Sequence, residues 1–247
     1  MDNKIFLSII IPAYNEENRI TETLEDINQK LQNKNWNYEI LVVNDGSKDK
    51  TVEVVNNLTP KIKGLKLIDN KENHGKGFVV RQGMLEAKGD YRLFMDADNS
   101  VTIDQFDNFL PYFKEGYDIV IGSIEVSGAK INEHAGLHRR ILGHISKLII
   151  RFVLGINIKD TQRGFKAFSH YTVEPIFSRQ TIWRWGFDFE ILYIALKLGF
   201  KIKEVPVIWN NPGESKVKLS GYISTFRELL KVRLNSWFGK YKFNKKV

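Results

Sequence analysis

The stretch Ile5-Phe6-Leu7-Ser8-Ile9-Ile10-Ile11-Pro12-Ala13-Tyr14-Asn15-Glu16 decides how this chain folds. Ile5–Ile11 is apolar except for one serine, which reads as a strand buried on both faces rather than one that alternates towards water. Glu17–Leu31 follows, with Ile20, Leu24, Ile27 and Leu31 at helical spacing. Tyr38–Val43 is the next strand, and Ser47 or Asp49 caps a helix through about Leu58. Leu65–Ile68 is a third strand, with a helix from about Gly75 to Ala87 behind it. Tyr91–Met95 and Tyr117–Ile121 are a fourth and a fifth. Strands alternating with helices predict a mostly parallel sheet covered on both faces, with ligands at the carboxyl ends of its strands.

Three polar clusters fall at such ends. Met95-Asp96-Ala97-Asp98 closes the fourth strand, and two carboxylates one residue apart suit a hard divalent cation beside a nucleotide diphosphate. A solvated turn is the plainer reading of the same residues. Pro12–Glu16 follows the first strand: Pro12 fixes the exit, Tyr14 offers a ring, and Glu16 can accept hydrogen bonds from a ribose or base. Asn44-Asp45-Gly46-Ser47 follows the second, where Asp45 could accept a pyrimidine imide N–H. Asn73-His74-Gly75-Lys76-Gly77 opens the third helix with free backbone N–H groups and a lysine, which suit a phosphate, although the P-loop spacing is missing. Each cluster also has an ordinary reading as a capped turn.

The chain has 247 residues, 43% of them hydrophobic and 27% charged, which describes a globular protein. It has no cysteine, so a metal must sit on oxygen or imidazole. The N-terminus runs into the first strand without a signal-peptide pattern, and no stretch approaches the ~18 apolar residues of a membrane span. A soluble or peripheral protein is expected. The formal charge is +8, and from Arg227 onward seven lysines and arginines face Glu228 alone. His138–Leu154 and Tyr222–Trp237 are basic amphipathic patterns. Each fits either a core-facing helix with a solvated side or an interfacial helix. The expected division is a main domain over 1–220 and a basic amphipathic helix and tail over 221–247.

Together, Ser8–Glu16, Asn44–Ser47 and Asp96–Asp98 resemble the nucleotide- and metal-binding motifs of the inverting glycosyltransferases of family 2, which have a GT-A fold. Asp160-Thr161-Gln162-Arg163-Gly164-Phe165-Lys166, Arg184-Trp185-Gly186-Phe187-Asp188-Phe189-Glu190 and Glu204–Trp209, with Ser215-Lys216 after them, narrow the resemblance to polyprenyl-phosphate sugar synthases, in particular the dolichyl-phosphate glucosyltransferase branch.

The resemblance implies a sugar nucleotide donor, UDP-glucose in first place, a polyprenyl phosphate acceptor, and Mg²⁺ or Mn²⁺. It places Pro12, Tyr14, Glu16, Asp45, Lys76, Asp96 and Ala97 at the nucleotide sugar, and Asp96 and Asp98 on the metal. Mannose synthases of the family carry Gln where Ser100 stands, which leans towards glucose. Where the family has Arg after Gly122-Ser123 this chain has Ile124, which shifts the acceptor phosphate to Arg139 or Arg140, with Lys216 assisting. Asp188 and Glu190 are expected to bind sugar hydroxyls or hold Arg163, Arg184 or Lys216; Asp188 as a base is the lesser reading. Trp183, Trp185 and Trp209 are expected to pack in core or groove.

The implied setting is the cytoplasmic face of an anionic membrane, with a membrane-protein partner or a second copy of the chain left open. The alternatives are a mannose synthase using GDP-mannose, a family 2 transferase acting on a polysaccharide hydroxyl, and a non-catalytic basic module. The last leaves the strand-end clusters without a role, and no nucleic-acid motif is present.

Overall fold

The computed structural model describes residues 4–132, 137–210 and 219–242, with no side chains described at 137–141, 219–220 and 222–223. The first half alternates as expected: β1 (Leu7–Ala13), α1 (Ile20–Gln32), β2 (Tyr38–Asp45), α2 (Thr51–Leu58), β3 (Leu65–Asn70), α3 (Lys76–Glu86), β4 (Tyr91–Met95). A 3₁₀ turn at Ile103–Asn108 and α4 (Leu110–Lys114) lead to β5 (Ile119–Ser123). The second half contains β6 (Lys130–Ile131), α5 (Leu137–Leu154), β7 (Phe165–Ser169), α6 (His170–Phe177), α7 (Phe187–Lys197), β8 (Ile202–Pro206), β9 (Ile208–Trp209) and α8 (Leu219–Trp237).

Seven strands form one sheet in the order β3-β2-β1-β4-β7-β5-β8. Every pairing is parallel except those of β7, which runs antiparallel between β4 and β5. β1 and β2 are buried at every position, as their apolar runs require. Ile10, Val43, Phe94 and Phe168 point into a core formed with α3, α5, α6, α7 and α8. Ile9, Val42, Leu93 and Ala167 point the other way, towards α1, α2 and the 103–113 segment.

Several expectations change in detail. β1 and β5 begin two residues later than predicted, and β2 extends through Asp45, so Asp45 is itself a strand end. Asp49 accepts from the Thr51 amide (3.0 Å) and starts α2, whereas the Ser47 hydroxyl accepts from the Asn15 amide (3.0 Å) and ties two strand-end loops together. The expected boundary at 220/221 falls inside the first turn of α8, whose Leu229 and Val232 share the core of α3 and α7.

α5 and α8 pack against each other. Each turns one apolar row inward (Ile150 and Leu154; Leu229 and Val232) and another outward. The outward rows are Leu142, Ile145, Leu148, Ile149 and Phe152, and Phe226, Leu230, Leu234 and Trp237, with Phe152 89% and Trp237 68% exposed. Each helix thus faces the core through its inward row and leaves a second apolar row in solvent. No described helix is long and apolar enough to cross a membrane.

Candidate active site

Asp96 and Asp98 stand just past the carboxyl end of β4, where the chain turns out of the sheet. The Asp96 amide donates to the Gly164 carbonyl (3.1 Å), drawing the segment before β7 under the carboxylate. A Cβ on Gly164 would overlap the Asp96 side chain, so glycine is required in the Asp160–Lys166 motif. Ala97 is buried, and its carbonyl accepts from the Thr23 hydroxyl (2.7 Å). Asn99, in the left-handed region at φ 53°, bonds Asp26 (2.9 Å), and the Ser100 amide donates to Asp98 (3.0 Å). Burial pushes the Asp98 carboxyl up and the neighbouring Asp96 charge adds to it. Two adjacent oxygen ligands that repel each other form a donor set suited to Mg²⁺ or Mn²⁺. Such ions take one or two carboxylates and fill their remaining positions from phosphate and water. No third His or carboxylate completes a cage among the described residues.

Lys76, the first residue of α3, places its ammonium on Asp96 and lies 5.9 Å from the Trp185 ring. Burial opposes its charge, but Asp96, Asp188 and Asp98 outweigh this and raise its pKa. The loop that delivers Lys76 is held by Asp45. That carboxylate accepts from the amides of His74 (2.7 Å) and Gly75 (3.0 Å) and from the Asn73 side chain (2.9 Å), and it is 3% exposed. Asp45 thereby organises the Lys76 loop.

Pro12 lies in β1 and Tyr14 is 40% exposed just beyond it. The Glu16 carboxylate accepts from Arg19 at 2.7 and 2.9 Å through Oε2, and its amide donates to Thr51 (2.8 Å). The 14–17 turn is therefore stapled to the 47–51 turn, and together they form the rim beside Asp96.

Asp188, in the first turn of α7, forms a buried pair with Lys166 of β7 at 2.5 Å. Lys166 also donates to the Arg163 carbonyl. Burial disfavours both charges, pushing the Asp188 carboxyl up and the Lys166 ammonium down, while their contact opposes both shifts. A carboxylate committed in this way is a positioning group. Among the described residues the partner of Asp188 is Lys166, the last residue of the Asp160–Lys166 motif, rather than Arg163 or Arg184. Glu190 is fully buried and accepts from the Thr181 and Ile182 amides and from Tyr241 (2.7 Å). It fastens the end of α8 to α7 and does not face a sugar.

Trp183 and Trp185 are 39% and 36% exposed, and they border the Gly75-Lys76 loop instead of filling the core. Gly77 lets α3 close on α7, since a Cβ there would come within 2.7 Å of Phe187. The Arg163 guanidinium stacks over Trp209 at 4.6 Å. Ile124 packs into the core while its amide donates to Asp160 (3.1 Å). Arg139 and Arg140 lie in the first turn of α5, with side chains outside the described residues, as is all of Lys216.

A mostly parallel sheet with paired carboxylates, a lysine-bearing helix start and aromatic rims at its carboxyl edge matches the GT-A architecture. The family model for glycosyl transferase family 2 matches residues 8–177, and the chain belongs to that family and is a glycosyltransferase.

A dolichyl-phosphate beta-glucosyltransferase of Trichomonas vaginalis is 36% identical over 96% of this chain and 76% of its own length. The enzyme of that name from Saccharomyces cerevisiae is 31% identical over 99% of this chain and 79% of its own. Glucosyl-3-phosphoglycerate synthase from Mycobacterium tuberculosis in complex with UDP shares the fold. It has a TM-score of 0.68 at 18% identity, over 98% of this chain and 82% of that one. The same synthase with Mn²⁺, UDP and glucosyl-3-phosphoglycerate gives 0.65 at 19% identity, over 95% and 80%.

Proposed function

We propose that this protein transfers glucose from UDP-glucose to a polyprenyl phosphate of the dolichyl type, with inversion, at a membrane surface. The observation that carries the reading is the 36% identity, across nearly the whole chain, to a dolichyl-phosphate beta-glucosyltransferase. The site chemistry agrees with it. A phosphate monoester has its second pKa near ~6 and is largely a dianion at neutral pH, so the nucleophile needs no general base. This suits a site whose buried carboxylate, Asp188, is committed to Lys166. A phosphate oxygen attacks the anomeric carbon, the bond from that carbon to the diphosphate breaks, and UDP leaves with the electron pair. A divalent cation on Asp96 and Asp98 supplies neutralisation of the leaving diphosphate. Lys76 offers a second positive charge on the same side, and Tyr14 and the rim at 14–17 border the nucleoside.

The deciding assay uses purified protein with Mg²⁺ or Mn²⁺, a panel of labelled sugar nucleotides and a short polyprenyl phosphate. Lipid-linked glucose is the expected product, and calorimetry should find UDP-glucose bound more tightly than GDP-mannose. Tighter GDP-mannose binding would move the protein to the mannose branch.

The acceptor phosphate must approach a diphosphate that is itself anionic, so it needs cations. Arg139 and Arg140 at the start of α5, with Lys216, fill that role in this reading, and guanidinium groups do so with bidentate bonds. Changing both arginines to Ala should raise the KM for polyprenyl phosphate and leave UDP-glucose binding nearly unchanged. Unchanged acceptor kinetics would reduce them to a solvated helix face.

Membrane attachment follows from the outward apolar rows of α5 and α8 and the cations beside them. Truncation after Gly221 would be a poor test, because it removes Leu229, Val232 and Tyr241 from the core. The triple change Phe226→Ser, Leu230→Ser and Trp237→Ser leaves the inner row intact and should abolish co-sedimentation with anionic vesicles at low salt. Retained binding would reject this face as the contact.

A further inference from the structure

Helix α5 carries two adjacent rows. Leu142, Ile145, Ile149 and Phe152 form the exposed apolar one. His144, Lys147, Leu148 and Arg151, spaced at three and four residues, form the other and face a cavity of about 140 Å³ closed by Glu125 and Lys159. Lys147 is braced by Glu125 at 2.6 Å and lies 3.6 Å from Asp160. The Arg151 guanidinium is oriented by a 3.1 Å bond from its Nη2 to Asn157, yet its Nε is buried with no hydrogen-bond partner. Neither Arg151 nor Lys159 pairs with a carboxylate among the described residues. A buried donor without an acceptor is costly, and with Lys147 already paired to Glu125 the lining keeps two cations, Arg151 and Lys159, that no described carboxylate neutralises, so the complementary occupant is an anion. Arg140 lies about one turn from His144 and about three turns from Arg151, so it is the Arg151–Lys159 end of the pocket that is set apart along the axis from the acceptor grip assigned to Arg139 and Arg140.

We propose that this cavity binds the phosphate headgroup of an anionic phospholipid, fixing the depth and rotation of α5 on the bilayer; the inference rests on the membrane-surface reading above. The adjoining apolar row selects a lipid as the source: a headgroup can enter the cavity while Ile149 and Phe152 enter the acyl boundary beside it.

The test is co-sedimentation of the full chain with phosphatidylcholine vesicles, with and without phosphatidic acid. Removing two cations by Arg151→Gln and Lys159→Gln should lower partition onto phosphatidic acid vesicles about thirty-fold, and Lys159→Gln alone, at an exposed position, about five-fold. Lys61→Gln with Lys63→Gln, which removes the same charge beside Tyr38 at the amino end of β2, should change partition far less, because distant charges are screened. Equal losses in both double variants would overturn the site in favour of general charge attraction. Inorganic phosphate should not displace the wild-type protein; displacement would assign the cavity to soluble phosphate and overturn the lipid source. The KM for a short polyprenyl phosphate in detergent should be unaltered in the Arg151/Lys159 variant, and a raised KM would hand the cavity to the acceptor. If the wild type ignores every vesicle, the membrane reading itself falls; if it binds but the two double variants do not differ, only this inference does.

Discussion

Asp98→Ala should lower turnover by about 10³-fold, several kcal/mol of transition-state stabilisation, with little change in thermal stability. Asp98 is bonded locally by the amide and the side chain of Ser100 and is partly buried beside the Asp96 charge. The fold does not need its charge; in the proposed reaction the leaving diphosphate does, because Asp96 and Asp98 would hold the divalent cation that neutralises it. Chelation with EDTA should therefore abolish activity in the wild type, and added Mn²⁺ or Mg²⁺ should restore it. The same ion should bind Asp98→Ala more weakly in the presence of UDP, measured by Mn²⁺ paramagnetic resonance. Full activity of Asp98→Ala without metal would end the metal-dependent account.

Lys166→Met should be the most destabilising single change at the site. Lys166 is fully buried, Asp188 is 4% exposed, and the two meet at 2.5 Å. Removing one partner leaves a buried charge uncompensated, which costs about 3–5 kcal/mol. For a chain of this length each kcal/mol moves the melting temperature by about 2–4 °C, so a drop of roughly 6–20 °C is expected. The double change Lys166→Met with Asp188→Leu should recover most of that loss, since a matched apolar pair removes both desolvation costs. A single variant that melts within a degree of wild type, or a double variant no better than the single, would contradict the pairing. Activity is not expected to return with stability, because Asp188 also adds to the field that keeps Lys76 charged.

A smaller consequence concerns α8. Its inner face reaches the site: Glu228 accepts from the Gly186 amide (2.7 Å), and Asn235 and Tyr241 join the Thr181–Glu190 cluster. The outer face of the same helix carries the exposed row. The segment bearing Trp183, Trp185 and Asp188 is thus clamped by a helix whose other side is proposed to meet the bilayer.

Local physics alone determines much of this protein. Apolar runs such as Ile9-Ile10-Ile11 and Leu41-Val42-Val43 have no exposed solution, so a doubly covered parallel sheet follows from them. Parallel strands put polar turns at one edge, and this is why Asp96, Asp98 and Lys76 were legible together as a site. The motifs at Asp160–Lys166 and Arg184–Glu190 carried the family as well.

What the sequence could not decide were partners distant along the chain. Asp45 and Glu16 read as ligand contacts because carboxylates at strand ends often are. Only the fold shows that Asp45 also holds the 73–75 loop and that Glu16 binds Arg19. Lys166 was legible only as the last residue of the Asp160–Lys166 motif; its pairing is decided by the fold, because the start of α7 delivers Asp188 to it. The periodicity of α5 and α8 was plain, but the direction each stripe faces was not. Each helix has apolar residues on two sides, and it is the packing of Ile150, Leu154, Leu229 and Val232 on the sheet's helical layer that leaves the other rows in solvent.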